Sequence, residues 1–127
     1  MRVVSQGYIG ICTAIFLGIG LWCLVDPAGA LAPTGVVPEG RAGLVELRAM
    51  YGGLEVGMAC FLAWCLGTAR LRTACMAAGA TIGGLGLARL TSYGMVGSET
   101  ALHLLLAGVE LAGGLAGLTL FGIQSDE

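Results

Sequence analysis

Four apolar runs, each about as long as a bilayer is thick, decide what this chain can fold into. They cover residues 4–25, 47–66, 73–92 and 100–123, each near the roughly 20 residues a helix needs to cross the hydrocarbon. In that solvent a lone segment must pair its own backbone N–H and C=O groups, which leaves the helix as the form available to it. Only 11% of the residues are charged and 57% are hydrophobic, whereas soluble domains carry about 25% charged residues. A water-soluble chain of 127 residues could not hide so much apolar surface in its core. The expected fold is all-α: an integral-membrane four-helix antiparallel bundle, a single domain over residues 1–127, with one Pro/Gly-rich loop between helices 1 and 2.

That loop runs from Asp26 to Glu46 and carries Pro27, Pro33 and Pro38 with Gly29, Gly35, Gly40 and Gly43. Proline and glycine at this density break helix and strand alike. A polar-surface loop is expected, with room for a short interfacial turn at Val36-Val37. The other connections, near 67–72 and 93–98, are short and make neighbouring helices antiparallel. Arg2, the first apolar run and the small-residue triplets Ala28-Gly29-Ala30 and Ala30-Leu31-Ala32 imitate a cleavable secretory signal. Pro33 follows the second triplet directly and the run is long for a signal core, so a retained first helix is expected.

Arginine placement sets the expected orientation. Arg2 precedes the first run, and Arg70 and Arg72 lie between the second and third. Positive flanks stay cytoplasmic, which puts both termini inside; Arg41, Arg48 and Arg89 fall on the other side. The chain has six arginines, no lysine and 23 glycines, a composition typical of GC-rich coding. The expected location is therefore a bacterial inner (plasma) membrane. Tyr8, Trp22, Trp64 and Tyr93 fall near predicted helix ends, as interfacial aromatics do. The net charge of −2 is too small to imply nucleic acid. The expected partners are the lipid bilayer and, beyond it, a larger membrane complex or further copies of the chain.

Small residues recur at helical spacing: Gly10, Ala14 and Gly18; Gly53 and Gly57; Gly79 and Gly83; Gly113 and Gly117. Such spacing lets membrane helices approach closely. Cys12, Cys23, Cys60, Cys65 and Cys75 form no Cys-x-x-Cys pair and read as small apolar packing residues.

The informative polar residues are Glu55 and Glu110, each near the middle of an apolar run. A charge at that depth is costly and marks a protein interior or a functional site. At α-helical spacing Arg48, Tyr51 and Glu55 share one face, and Glu99, His103 and Glu110 share another. Arg89 lies near the end of the third run. A buried polar network of Arg48, Tyr51, Glu55, Arg89, Glu99, His103 and Glu110 is expected. Its outer layer is Arg48, Arg89, Glu99 and His103, with Tyr51 alongside, and the two glutamates lie about 10 Å deeper. Arg48 is then out of reach of both, and desolvation favours their neutral forms. They read either as proton carriers or as static hydrogen-bond donors.

A faint repeat links the two positions. Gly53-Leu54-Glu55-Val56-Gly57 matches Gly108-Val109-Glu110-Leu111-Ala112, and Arg48 then aligns with His103. Parallel repeats of this kind occur in some membrane transporters. One histidine with scattered carboxylates is too little for a transition-metal site. Gly83-Gly84-Leu85-Gly86 lies inside a predicted membrane helix and follows no strand, so it is a packing feature and not a dinucleotide fingerprint. No catalytic residue, metal ligand or cofactor is expected. The reading is a non-enzymatic accessory or structural subunit, with a proton-linked small-molecule transporter or permeation unit, acting as an oligomer, as the alternative.

Glu46-Leu47-Arg48-Ala49-Met50-Tyr51-Gly52-Gly53 resembles a motif of the form Glu-x-Arg-x-x-Tyr-Gly-Gly. That motif opens the second helix in a family of small bacterial four-helix membrane proteins classed as a domain of unknown function. The family also carries Gly/Ala-x-Arg near the end of the third helix. Here the region reads Gly86-Leu87-Ala88-Arg89, a slightly different spacing. The resemblance implies the fold and the membrane location and no activity.

Overall fold

A computed structural model describes residues 1–98 and 100–124, and Glu99 lies outside the described residues. The elements are α1 (Arg2–Val25), α2 (Pro27–Leu31), a 3-10 turn (Ala32–Thr34), α3 (Gly40–Leu47), a π-helical segment (Arg48–Gly53), α4 (Leu54–Gly67), α5 (Leu71–Val96) and α6 (Leu102–Gly122). No strand occurs among the described residues. Four helical stretches are long and apolar enough to cross a membrane: Arg2–Val25, Gly40–Gly67, Leu71–Val96 and Leu102–Gly122.

The segment expected as a loop over 26–46 is mostly helical, because its prolines sit where helices accept them. Pro27 opens α2, where its missing N–H costs nothing. Asp26 caps that helix, its carboxylate accepting from the Gly29 N–H at 3.0 Å. Pro33 lies within the 3-10 turn. Gly35 ends the turn at φ +76°, and Gly40 leads into α3 at φ +65°, conformations that cost glycine little. Residues 36–39 have no regular structure, so Val36-Val37 forms no turn. The second membrane-length helix begins at Gly40 instead of Leu47 because α3, the π segment and α4 run on without a break.

The chain divides into two compact units, Gly10–Trp64 and Met1–Ile9 with the chain from Cys65 onward. In the second of these, α5 and α6 form an antiparallel hairpin held by glycine. A Cβ on Gly79 would lie 2.8 Å from the Leu118 nitrogen, and one on Gly114 would collide with the Gly83 Cα. The expected pair Gly79 and Gly83 is used as expected. Gly114, beside the expected Gly113, joins Gly117 on the facing helix. The start of α1 adds to this unit: the Tyr8 hydroxyl donates to the Gly113 carbonyl at 3.0 Å, and Gln124 Nε2 donates to the fully buried Ser5 Oγ at 2.6 Å. Tyr8 therefore ties helices together within this unit. At the turn before α5, Ala69 takes φ +59° and the Arg70 N–H reaches back to the Cys65 carbonyl at 2.8 Å.

In the Gly10–Trp64 unit, α1 runs antiparallel to the helix from Gly40. Its close approach is made by Gly20, whose Cβ would fall 2.9 Å from the Glu55 Cβ and the Val56 nitrogen, and by Gly52, which receives Leu24. The stripe read from the sequence is not the one used, since Gly10, Gly18 and Gly57 face open space.

Candidate functional site

The strongest polar constellation stands on the α5–α6 hairpin. Arg89 Nε donates to Glu110 Oε2 at 2.9 Å and Nη2 donates to Oε1 at 2.7 Å. Both carboxylate oxygens accept, so the planar guanidinium grips the glutamate at two points. The side chains are 25% and 16% exposed. The register follows from the hairpin. Arg89 stands seven residues before the end of α5 at Val96, and Glu110 eight residues after the start of α6 at Leu102. At 1.5 Å per residue each is about 10–12 Å from the hairpin end. Arg89 and Glu110 thus share one depth instead of lying in separate layers. Glu110, expected to lie out of reach of any arginine, is paired with Arg89.

Gly86 makes the pairing possible. A Cβ there would fall 2.9 Å from the Leu111 nitrogen and 3.0 Å from the Glu110 Cβ. One helical turn later, on the same face, comes Arg89. Gly86-Leu87-Ala88-Arg89 therefore brings the two backbones together at one turn and pairs charge at the next.

His103, in the first turn of α6, stands beside the pair, with Nδ1 3.4 Å from Arg89 Nη1. A guanidinium only donates, so Nδ1 accepts in the tautomer that carries the ring proton on Nε2. Arg89 and His103 also border a cleft of about 190 Å3 at the hairpin end. Its remaining wall comes from Ser92, Tyr93 and Val96 on α5 and from Gly97 and Ser98 in the connection. Ser98 Oγ accepts from the Thr100 N–H at 3.3 Å, and Thr100 Oγ1 accepts from the Leu102 N–H at 3.2 Å, which together turn the chain into α6. Ser92, Tyr93 and Val96 follow Arg89 by three, four and seven residues, a spacing visible in the sequence once Arg89 is placed on that face.

Arg48, Tyr51 and Glu55, also expected at the site, lie in the Gly10–Trp64 unit. Arg48 is exposed. It donates through Nε to the Leu24 carbonyl at 3.0 Å and through Nη2 to the Val25 carbonyl at 3.5 Å. It thus caps the last turn of α1, whose carbonyls have no partner within that helix. The expected shared face of Arg48, Tyr51 and Glu55 assumed α-helical periodicity. The π segment Arg48–Gly53 bonds i to i+5 and holds more residues per turn, so that face does not persist. Tyr51 is exposed and Glu55 half-buried.

The two units share one local arrangement. In each, a glutamate on the second helix sets its Cβ against a glycine of the first, Gly20 for Glu55 and Gly86 for Glu110. Three residues after the glycine the hairpins differ: Arg89 in one, the fully buried Cys23 in the other.

These features define an all-helical membrane protein with four membrane-length helices and a charge pair between two of them. The chain belongs to the family described as a domain of unknown function, DUF4345, which matches residues 4–121. No curated protein and no solved structure matches the chain.

Proposed function

We propose that the protein is a non-enzymatic accessory subunit of a bacterial inner-membrane complex. It works as one membrane domain with both termini cytoplasmic. The α5–α6 hairpin is the rigid element it offers to its membrane partner. The observation that carries this reading is the two-point Arg89–Glu110 grip. It holds two helices in register and keeps both carboxylate oxygens occupied, which suits a fixed strut better than a group that must load and release a proton. The glycine contacts at Gly79, Gly83, Gly114 and Gly117 support the same role, because they place rigid backbone against rigid backbone.

The test is affinity purification of the tagged full chain from its own membrane in mild detergent. A stoichiometric membrane partner is expected, and it should be lost when Glu110→Gln loosens the hairpin. A chain that purifies alone or only with copies of itself refutes the subunit role.

The recurrence of the glycine–glutamate contact in both units favours a second reading, a proton-linked permeation unit built on a parallel repeat. Four helices leave little room for a path, so this reading requires an oligomer. Proton flux into liposomes that Glu55→Gln abolishes would support it; flux indistinguishable from protein-free liposomes would end it.

A further inference from the structure

We infer that the cleft at the α5–α6 hairpin end binds the carbonyl oxygen of a neutral, membrane-dissolved amphiphile, either a quinone-type ring or a lipid ester. The argument begins with charge. Arg89 is the cationic group bordering the cleft, and its charge is matched by Glu110 through both carboxylate oxygens. A ligand carrying a full negative charge would have to compete with that carboxylate for the guanidinium. A neutral acceptor would not.

The second step is the donor set. With Nδ1 of His103 turned to Arg89, Nε2 is the ring nitrogen left to donate. Ser92, Tyr93 and Ser98, each of which carries a hydroxyl, also line the cleft. Several neutral donors around one cleft suit a carbonyl, whose oxygen accepts two hydrogen bonds and needs no counter-charge. Ligand sites commonly combine an apolar wall with a few such convergent polar groups.

The third step is size and place. The cleft holds about 190 Å3, several times the roughly 30 Å3 of a water molecule. That is room for a small ring or an ester with its neighbouring carbons, and too little for a whole lipid. It extends from Arg89 to the hairpin end past Val96, so a tail could stay in the hydrocarbon while the head enters. The inference is independent of the subunit role, since the site would exist in a protein with or without a partner.

The test uses the full chain in nanodiscs made of ether-linked lipid, which contributes no ester carbonyl of its own. Two probes carry carbon-13 at the carbonyl: a short-tailed ubiquinone and dioctanoylglycerol. Infrared difference spectra report the labelled stretch, which moves to lower frequency on accepting hydrogen bonds. A saturable downshifted band from at least one probe is expected. The quinone alone giving it identifies a quinone ligand, and the diacylglycerol alone identifies a lipid ester. His103→Phe should weaken the binding by about tenfold, the scale of losing one hydrogen bond from a dry site. His103→Gln, which can place an N–H near the position of Nε2, should stay within about threefold of the parent. If His103→Phe does not fold, Ser92→Ala/Tyr93→Phe decides by the same tenfold criterion. The absence of a saturable shift with both probes overturns the inference. So does a folded His103→Phe that binds as tightly as the parent.

Discussion

The Arg89–Glu110 pair makes a quantitative prediction through a double-mutant cycle of Arg89→Met, Glu110→Met and the double variant. Two charge-assisted hydrogen bonds of 2.9 and 2.7 Å join the partners, and each such bond contributes about 1.5–3 kcal/mol. Removing one partner also strands the other's charge in an apolar setting, which costs about 3–5 kcal/mol for a buried pair. Exposures of 25% and 16% place this pair at the low end, so each single variant should lose about 3 kcal/mol. The double variant strands no charge and fills the space with two flexible apolar chains. It should lose no more than either single variant, giving a coupling energy of at least about 3 kcal/mol. Cys75 supplies the assay. It is a fully buried thiol on α5, so with Cys12, Cys23, Cys60 and Cys65 replaced by alanine its labelling rate in micelles reports opening of this unit. A loss of about 3 kcal/mol raises that rate by about two decades. Additive losses would refute the reasoning, because they would mean that each side chain is held by something other than its partner. So would single-variant changes below about 0.5 kcal/mol, the ordinary scatter of surface substitutions.

Three further outcomes are expected. Arg48→Met should lower stability by about 1 kcal/mol in denaturant titrations followed by Trp22 fluorescence, the scale of losing a helix cap at an exposed position. Arg41→Met, also exposed, should leave it unchanged; Arg72 is no neutral reference, since its guanidinium lies 4.6 Å from the centre of the Phe121 ring. Gly114→Ala should destabilise by about 1–3 kcal/mol through its collision with Gly83. Gly57→Ala faces open space and should be neutral or stabilising by up to about 1 kcal/mol, so melting temperatures of the two should move apart. Tyr8→Phe keeps the ring and removes the hydroxyl that donates to the Gly113 carbonyl; a loss of about 1 kcal/mol is expected by Cys75 labelling.

The four membrane-length helices were legible because their signal is summed over about twenty residues. The details that failed depend on single residues. Pro27 and Pro33 read as helix breakers until their positions within short helices are known. The face shared by Arg48, Tyr51 and Glu55 requires an α-helical period that the π segment violates. The glycine stripes were identified by spacing, yet spacing does not say which of several small-residue rows meets a neighbour. In α1 that residue is Gly20, and Gly18 faces open space. The partner of Glu110 was hidden because Arg89 was placed by its distance from a helix end, and the third helix continues to Val96 rather than stopping at Ser92. Glu99, expected in the outer layer, lies outside the described residues.

The two hairpins carry the same problem with different solutions. Each sets a glutamate against a glycine of the preceding helix, and the glycine lets the backbones approach until the carboxyl stem lies between them. In the α5–α6 hairpin the next turn supplies Arg89, and the connection through 97–101 is short enough to fix arginine and glutamate at one depth. An unpaired arginine or glutamate would be costly to leave in hydrocarbon, whereas the joined pair is neutral, so this hairpin is best inserted as a unit. In the other hairpin the corresponding turn supplies Cys23, a small buried thiol, and Arg48 donates to the carbonyls that end α1. Glu55 and Glu110 therefore match in sequence context and in the backbone that surrounds them but stand in different chemistry. Substitution at 110 tests how the hairpin is held together, and substitution at 55 tests whether the protein moves a proton.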